Sequence, residues 1–187
     1  MSNNPLATYN DTALPDCNLQ IPLWKLVRAS TAAPTYFPPE EVHIGESEFL
    51  FIDGGITPLN NPAWQLFLMA TAEPYKLSWP TGKDKLLLVS VGTGRTKGSR
   101  PTLRKEQMNL LFNASEIPPA LISSASNQQD LNCRIFGDCL AGAPIDGEVG
   151  DLHGTGLPGV EKLFTYLRYN VQLDPGPLQD LGFENPP

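Results

Sequence analysis

The sequence predicts an α/β fold with a mainly parallel sheet. Two short apolar runs carry that expectation: Glu48 to Ile52, which leads into Asp53-Gly54-Gly55, and Lys85 to Val91, which leads into Gly92-Thr93-Gly94. Apolar runs of this length, bounded by turn residues, read as buried strands. Pro62 to Ala72 between them has helical character. Strand, helix, strand is the order of a βαβ unit, which favours a parallel sheet covered by helices.

Taken in order, the first twenty residues form a polar, extended lead-in punctuated by Asn and Pro. A helix is expected from Pro22 to Ala33: Pro suits a first turn, Leu23, Leu26, Val27 and Ser30 share a face, and Pro34 stops it. Pro34-Thr35-Tyr36-Phe37-Pro38-Pro39 excludes regular helix and predicts a rigid connection with two aromatic rings. In the Pro62–Ala72 helix, Asn61 is the expected N-cap, and Leu66-Phe67-Leu68-Met69 make it apolar nearly all round, as in a helix buried on more than one side. Thr102 to Phe112 and Ala120 to Ile135 read as two further helices. Gly137 to Gly159 reads as a long loop, Leu163 to Val171 as a strand, and Asp174 to Pro187 as a turn-rich tail. There is no internal repeat or heptad pattern.

Composition excludes several classes. The 187 residues are 41% hydrophobic and 18% charged, enough apolar material for a folded core. Sixteen glycines and nineteen prolines predict long structured loops. A net charge of −7 and a pI near 4.7 argue against nucleic-acid binding, which needs clustered Lys and Arg. No apolar run approaches the ~18–20 residues that span a bilayer. Met1 to Asp16 lacks the basic flank and apolar stretch of a secretory signal. Cys17, Cys133 and Cys139 are too few for a disulfide scaffold, which suits a reducing compartment.

Asp53-Gly54-Gly55 is the most informative feature. Asp-Gly between apolar runs is a hairpin signal, but Pro58, Asn60, Asn61 and Pro62 follow where the second strand would have to run, and Pro is poorly placed there. The alternative puts Asp53 at the carboxyl end of a parallel strand, where α/β proteins gather catalytic groups, with two glycines permitting close backbone approach. A carboxylate held there can serve as general base toward a hydroxyl.

Around this motif the sequence resembles a known family. Leu23-Trp24 through Arg28-Ala29-Ser30-Thr31-Ala32-Ala33-Pro34-Thr35-Tyr36-Phe37-Pro38-Pro39 is similar to the segment preceding the catalytic aspartate of patatin-like phospholipases. Phe51-Ile52-Asp53-Gly54-Gly55, then Asn60-Asn61-Pro62, resembles that family's Asp-Gly-Gly/Ala motif and the helix behind it. Ser90-Val91-Gly92-Thr93-Gly94 resembles its next strand and turn. Gln128-Gln129-Asp130-Leu131 and Leu163 to Asn170 resemble later segments of bacterial members, so the likeness spans roughly residues 20 to 170.

The resemblance implies a three-layer α/β/α sandwich and acyl-ester hydrolysis by a Ser–Asp dyad, with Asp53 as the base, Gly54 and Gly55 as its turn, and Asn60 and Asn61 supporting the loop. It also implies a Gly-x-Ser-x-Gly nucleophile elbow and a glycine-rich oxyanion loop. Neither occurs in the 187 residues. The expectation is therefore that residues 1–187 are the C-terminal portion of such a domain, lacking the part that bears the nucleophile and oxyanion loop, and inactive alone. An apolar helix face and a sheet edge would then be left uncovered.

Other signals weigh less. Gly92, Gly94 and Gly98 miss both the dinucleotide fingerprint and the P-loop spacing, so a structural turn is the reading. His43, in a polar loop, and His153, in the Gly-rich loop, read as surface histidines. No metal-ligand spacing is present, and no metal or organic cofactor is implied. Ser30 and Ser90 lack the flanking glycines of an elbow, and Cys133 and Cys139 read as ordinary thiols. Arg95, Lys97, Arg100, Arg104 and Lys105 form a basic run, either a solvated face or a contact with phospholipid head groups at a membrane surface. The expected partners are a phospholipid or other acyl-ester substrate and the missing half of the domain; the expected location is cytoplasmic or peripheral to a membrane. Outside catalysis the alternative is a binding or complementation module, pairing with a separate N-terminal half or a lipid surface.

Overall fold

The computed structural model describes residues 4, 6–34, 36–96 and 110–183, and the chain divides into two compact units, Met1–Pro80 and Thr81–Pro187. The fold is mixed α/β, with a three-stranded parallel sheet in the second unit and a two-stranded antiparallel ribbon in the first.

In the first unit the lead-in is not simply extended. It holds two short 3₁₀ turns, Thr8–Asn10 and Asn18–Gln20, and buries Asn10 and Cys17. Helix α1 spans Leu23–Ser30, three residues shorter than expected at its end, because Thr31 already leaves the helical region. Its buried residue is Ala29, whereas Leu23, Trp24 and Val27 are exposed. Strand β1, Glu40–Ile44, pairs antiparallel with β2, Ser47–Phe51, from Glu40↔Phe51 to Ile44↔Ser47. Gly45 turns the corner with φ +59, as the first position of a two-residue hairpin loop requires.

This ribbon corrects two expectations. The run at 48–52 is neither buried nor parallel: its backbone partner lies just upstream, and most of β2 faces solvent. Nor do this run and the strand ending at Val91 form a βαβ unit, since they lie in separate sheets. Helix α2 spans Ala63–Thr71. Ala63, Phe67 and Ala70 form its one fully buried side, and Leu66 is exposed, so it is less enclosed than its composition predicts.

In the second unit β3, Leu87–Val91, pairs in parallel with β5, Thr165–Tyr169, which pairs in parallel with β4, Asp138–Ala141; the order is β3-β5-β4. β5 confirms the strand expected near 163–171. β4 was not expected, being four residues inside the Gly-rich stretch at 137–159. Helix α3, Leu110–Phe136, is one helix where two were expected. It runs on through Pro118-Pro119 and joins the two expected segments. Residues 102–109 of the first expected helix lie outside the described residues. The tail contains a short helix α4, Pro175–Asp180.

Lys162 closes the end of α3, donating from Nζ to the carbonyls of Arg134, Ile135 (3.0 Å) and Gly137 (2.7 Å), and also to that of Thr155. A cation there satisfies carbonyls that the helix itself leaves unpaired. Gly137 has no room for a side chain: a Cβ would lie 2.5 Å from the Cys133 carbonyl oxygen and 2.5 Å from the Phe164 ring.

α3 covers one face of the sheet. On that face Arg134 is 2% exposed and reaches Asp130 through two hydrogen bonds, Nε to Oδ1 at 3.1 Å and Nη2 to Oδ2 at 2.9 Å. The Tyr166 hydroxyl donates to the same Oδ1 at 2.9 Å. Burial pushes the Tyr166 hydroxyl well above its ordinary pKa, helped by the Asp130 charge, and pushes the Cys133 thiol up to about 12. The other face is apolar and, among the described residues, uncovered, with Leu87, Val89 and Val91 exposed by 59%, 47% and 75%. Among the described residues no helix is long and apolar enough to cross a membrane.

Candidate functional site around Asp53

Asp53 follows β2 of the antiparallel ribbon, not a parallel strand as expected. Two contacts fix it. Its backbone N–H donates to the carbonyl of Ala32 at 3.0 Å, tying the turn to the chain just beyond α1. Its Oδ1 accepts from the Gly55 N–H at 2.7 Å, capping the 3₁₀ turn Gly54–Ile56. No other hydrogen bond reaches the carboxylate among the described residues. One oxygen is therefore held, and Oδ2 is left to accept.

The two glycines differ. A Cβ at Gly55 would come within 3.0 Å of Asp53 Oδ1 and 3.4 Å of Asn60 Oδ1, so the capped carboxylate needs glycine there. At Gly54 a Cβ would meet nothing within 4 Å, so close approach explains Gly55 alone. The turn continues as Thr57 accepts from the Leu59 N–H and donates to the Gly54 carbonyl. Asn60 is exposed. Asn61 is buried, and its Oδ1 accepts from the Ala63 N–H at 3.4 Å, a long bond into the first turn of α2, although the N-cap position itself belongs to Pro62.

The segment before the ribbon is held by Arg28. Its Nη2 donates to the Pro38 carbonyl at 3.0 Å, its Nε lies 4.0 Å from Glu40, and its guanidinium lies over the Phe37 ring at 5.3 Å from the centroid. Ala32, whose carbonyl anchors Asp53, is fully buried. Thus α1, the Pro-rich connection and the Asp53 turn are joined by side-chain and backbone bonds.

The first unit also encloses an open cavity of about 800 Å³, lined chiefly by Tyr9, Ile44, Phe49, Phe51, Met69 and Tyr75. Phe51 and Leu59, both on its wall, flank the Asp53 turn in sequence; Asp53 itself is not on the wall. The size is that of a small-molecule site, and the lining is largely apolar.

The remaining candidates are dispersed. His43 lies in β1 rather than in a loop, and its ring with Glu41 and Glu48 forms an exposed group of ligand-capable atoms within 4.8 Å of one another, a common surface arrangement without an ion. His153 Nδ1 is 3.4 Å from Asp151. Ser30 is exposed at the end of α1, and Ser90 is buried on β3, where Arg168 donates to its Oγ at 2.7 Å. All three cysteines are buried free thiols. Of the basic run, Lys97, Arg100, Arg104 and Lys105 lie outside the described residues; Arg95 donates to the Pro144 carbonyl. Sequence reasoning missed the Asp130–Arg134–Tyr166 cluster, for which the signal was an acid four residues before a base on a helix.

A family model described as patatin-like phospholipase matches residues 1–67, which include α1, the ribbon and Asp53 to Asn61. The chain is 32% identical over 95 residues to patatin-like protein 1 of Arabidopsis thaliana, covering 45% of this chain and 23% of that protein. It is 28% identical over 110 residues to a "probable inactive patatin-like protein 9" of the same plant, covering 58% and 28%. An intracellular phospholipase A2 of Caenorhabditis elegans is 39% identical over 85 residues, covering 43% of this chain and 7% of that protein. The chain thus spans less than a third of each of these relatives.

Proposed function

We propose, from the match of residues 1–67 to the patatin-like phospholipase family model, that Asp53 is the carboxylate of a Ser–Asp pair for lipid acyl-ester hydrolysis. The observation that carries this reading is the asymmetry of the carboxylate. Gly55 fixes one oxygen at 2.7 Å, and the other has no partner among the described residues. A general base needs this: an orientation set by the protein and a lone pair left for the reacting proton.

In this reading the serine proton passes to Asp53 as Oγ attacks the ester carbonyl. The protonated Asp53 returns the proton to the leaving alcohol. A water, deprotonated by Asp53, then releases the acid and regenerates serine. Backbone donors must stabilise the oxyanion. Gly54 and Gly55 shape the turn, and Asn60 and Asn61 support it. No Gly-x-Ser-x-Gly occurs in residues 1–187, so serine and oxyanion donors come from polypeptide beyond this sequence, which is read as the C-terminal portion of the domain and as inactive alone. The apolar cavity beside Phe51 and Leu59 offers a place for an acyl chain. Work at a membrane surface, from the cytoplasmic side, suits such a substrate. A second reading, a non-catalytic pairing module, draws on the likeness to a relative named as inactive.

The test is the purified chain with a short-chain chromogenic ester, a phospholipid and a fluorophosphonate probe. The proposal expects no turnover and no labelled serine. Turnover that vanishes in Asp53→Asn, or a labelled Ser30 or Ser90, would place the nucleophile inside these residues and overturn it.

A further inference from the structure

In the second unit, where the chain leaves β3 and β5, a small polar cavity is lined by Arg95, Asn127, Asp130, Arg134, Arg168 and Asn170. Its volume of about 10 Å³ is room for one water-sized atom. Carboxyl ends of parallel strands are where α/β proteins bind ligands.

The charges around this cavity do not cancel. Asp130 is occupied by two bonds from Arg134 and one from Tyr166. Arg95 and Arg168 are half-buried and, among the described residues, bonded only to neutral acceptors, the Pro144 carbonyl at 3.1 Å and Ser90 Oγ at 2.7 Å. Among the described residues neither has a carboxylate within 4 Å. Asn170 Oδ1 is taken by the Gly94 N–H at 2.9 Å, which leaves its amide as a donor. Gly92 lets this wall close: a Cβ there would sit 2.3 Å from Asn170 Oδ1 and 2.9 Å from Arg168 Nη2. Three guanidinium groups against one carboxylate, joined by amide donors, favour an anion.

We propose that this cavity seats one oxygen of a phosphate-type oxyanion, held by Arg95 and Arg168, with the rest of the anion outside. The anion is either free phosphate or the phosphate of a lipid head group; both present the same oxygen. The site uses no residue of the Asp53 turn, and its fate is independent of the hydrolase reading.

The test uses the full 187-residue chain in low chloride. One arm titrates inorganic phosphate, followed by phosphorus NMR line broadening. The other measures co-sedimentation with phosphatidylcholine vesicles with and without phosphatidic acid. Arg95→Gln and Arg168→Gln are expected to weaken binding about tenfold or more each, the loss of a charge-assisted hydrogen bond. Arg168 also holds buried Ser90, so Arg95→Gln decides alone if the other variant does not fold. Saturable phosphate binding lost in the variants supports the site with the free ion. Binding only to phosphatidic-acid vesicles, lost in the same variants, supports it with the lipid as source. Binding in neither arm, or binding that the folded variants retain, overturns it.

Discussion

The two faces of the β3-β5-β4 sheet are built the opposite way round from a protein surface. The face under α3 is rich in polar groups: on the sheet Arg168 donates to Ser90, and Tyr166 donates to Asp130 of the helix, which also accepts from Arg134. The opposite face, on which no helix lies among the described residues, carries Leu87, Val89, Val91 and Tyr169, all exposed. Parallel sheets are normally covered on both faces, and their strands read as continuous apolar runs for that reason. The covered face shows that α3 is held by specific hydrogen bonds as well as by contact. The open face has the composition of an interior. Strand sequence therefore reported what the sheet is suited to, not which of its faces this chain covers.

Substitutions on the two faces should differ sharply. Asp130→Asn leaves Arg134 buried without its counter-charge and should destabilise the second unit by about 3–5 kcal/mol, read as a fall in the urea midpoint. Gly137→Ala forces a methyl against the Cys133 carbonyl and Phe164, at a cost of about 1–3 kcal/mol by the same measurement. The covered face should also be sensitive to alkaline pH through Cys133. The native thiol keeps its proton to about 12, whereas the unfolded thiol loses it near 9, so stability present below pH 9 should decline as pH rises from 9 toward 12. Cys133→Ser should flatten that limb, and the native thiol should not react with a disulfide reagent near pH 8. On the open face, Val91→Ser should change stability by no more than about 0.5 kcal/mol while lowering binding of a hydrophobic dye. Equal costs on the two faces would break the comparison.

Legibility in the sequence followed the same division. β3, β5, α1 and α2 carried apolar runs or helical spacing and were visible. β1 was not, because Glu40, Glu41 and His43 alternate with only two apolar residues, and its pairing depends on a turn at Gly45. That omission misplaced Asp53 after a parallel strand. β4 was hidden because four residues in a Gly-rich stretch become a strand only by pairing with β5. The Asp53 turn was legible because Asp-Gly-Gly followed by Pro and Asn constrains the backbone locally. The Asp130–Arg134–Tyr166 cluster was not, because its members meet only after α3 docks across thirty-six residues of chain.

The most direct test of the role given to Asp53 is ester hydrolysis by a polypeptide that joins these residues to a Gly-x-Ser-x-Gly segment, compared with its Asp53→Asn variant at equal folded concentration. A drop of about 10²–10⁴-fold in kcat with an unchanged melting temperature is the predicted result. Full activity in the folded variant would contradict the assignment of Asp53 as the base.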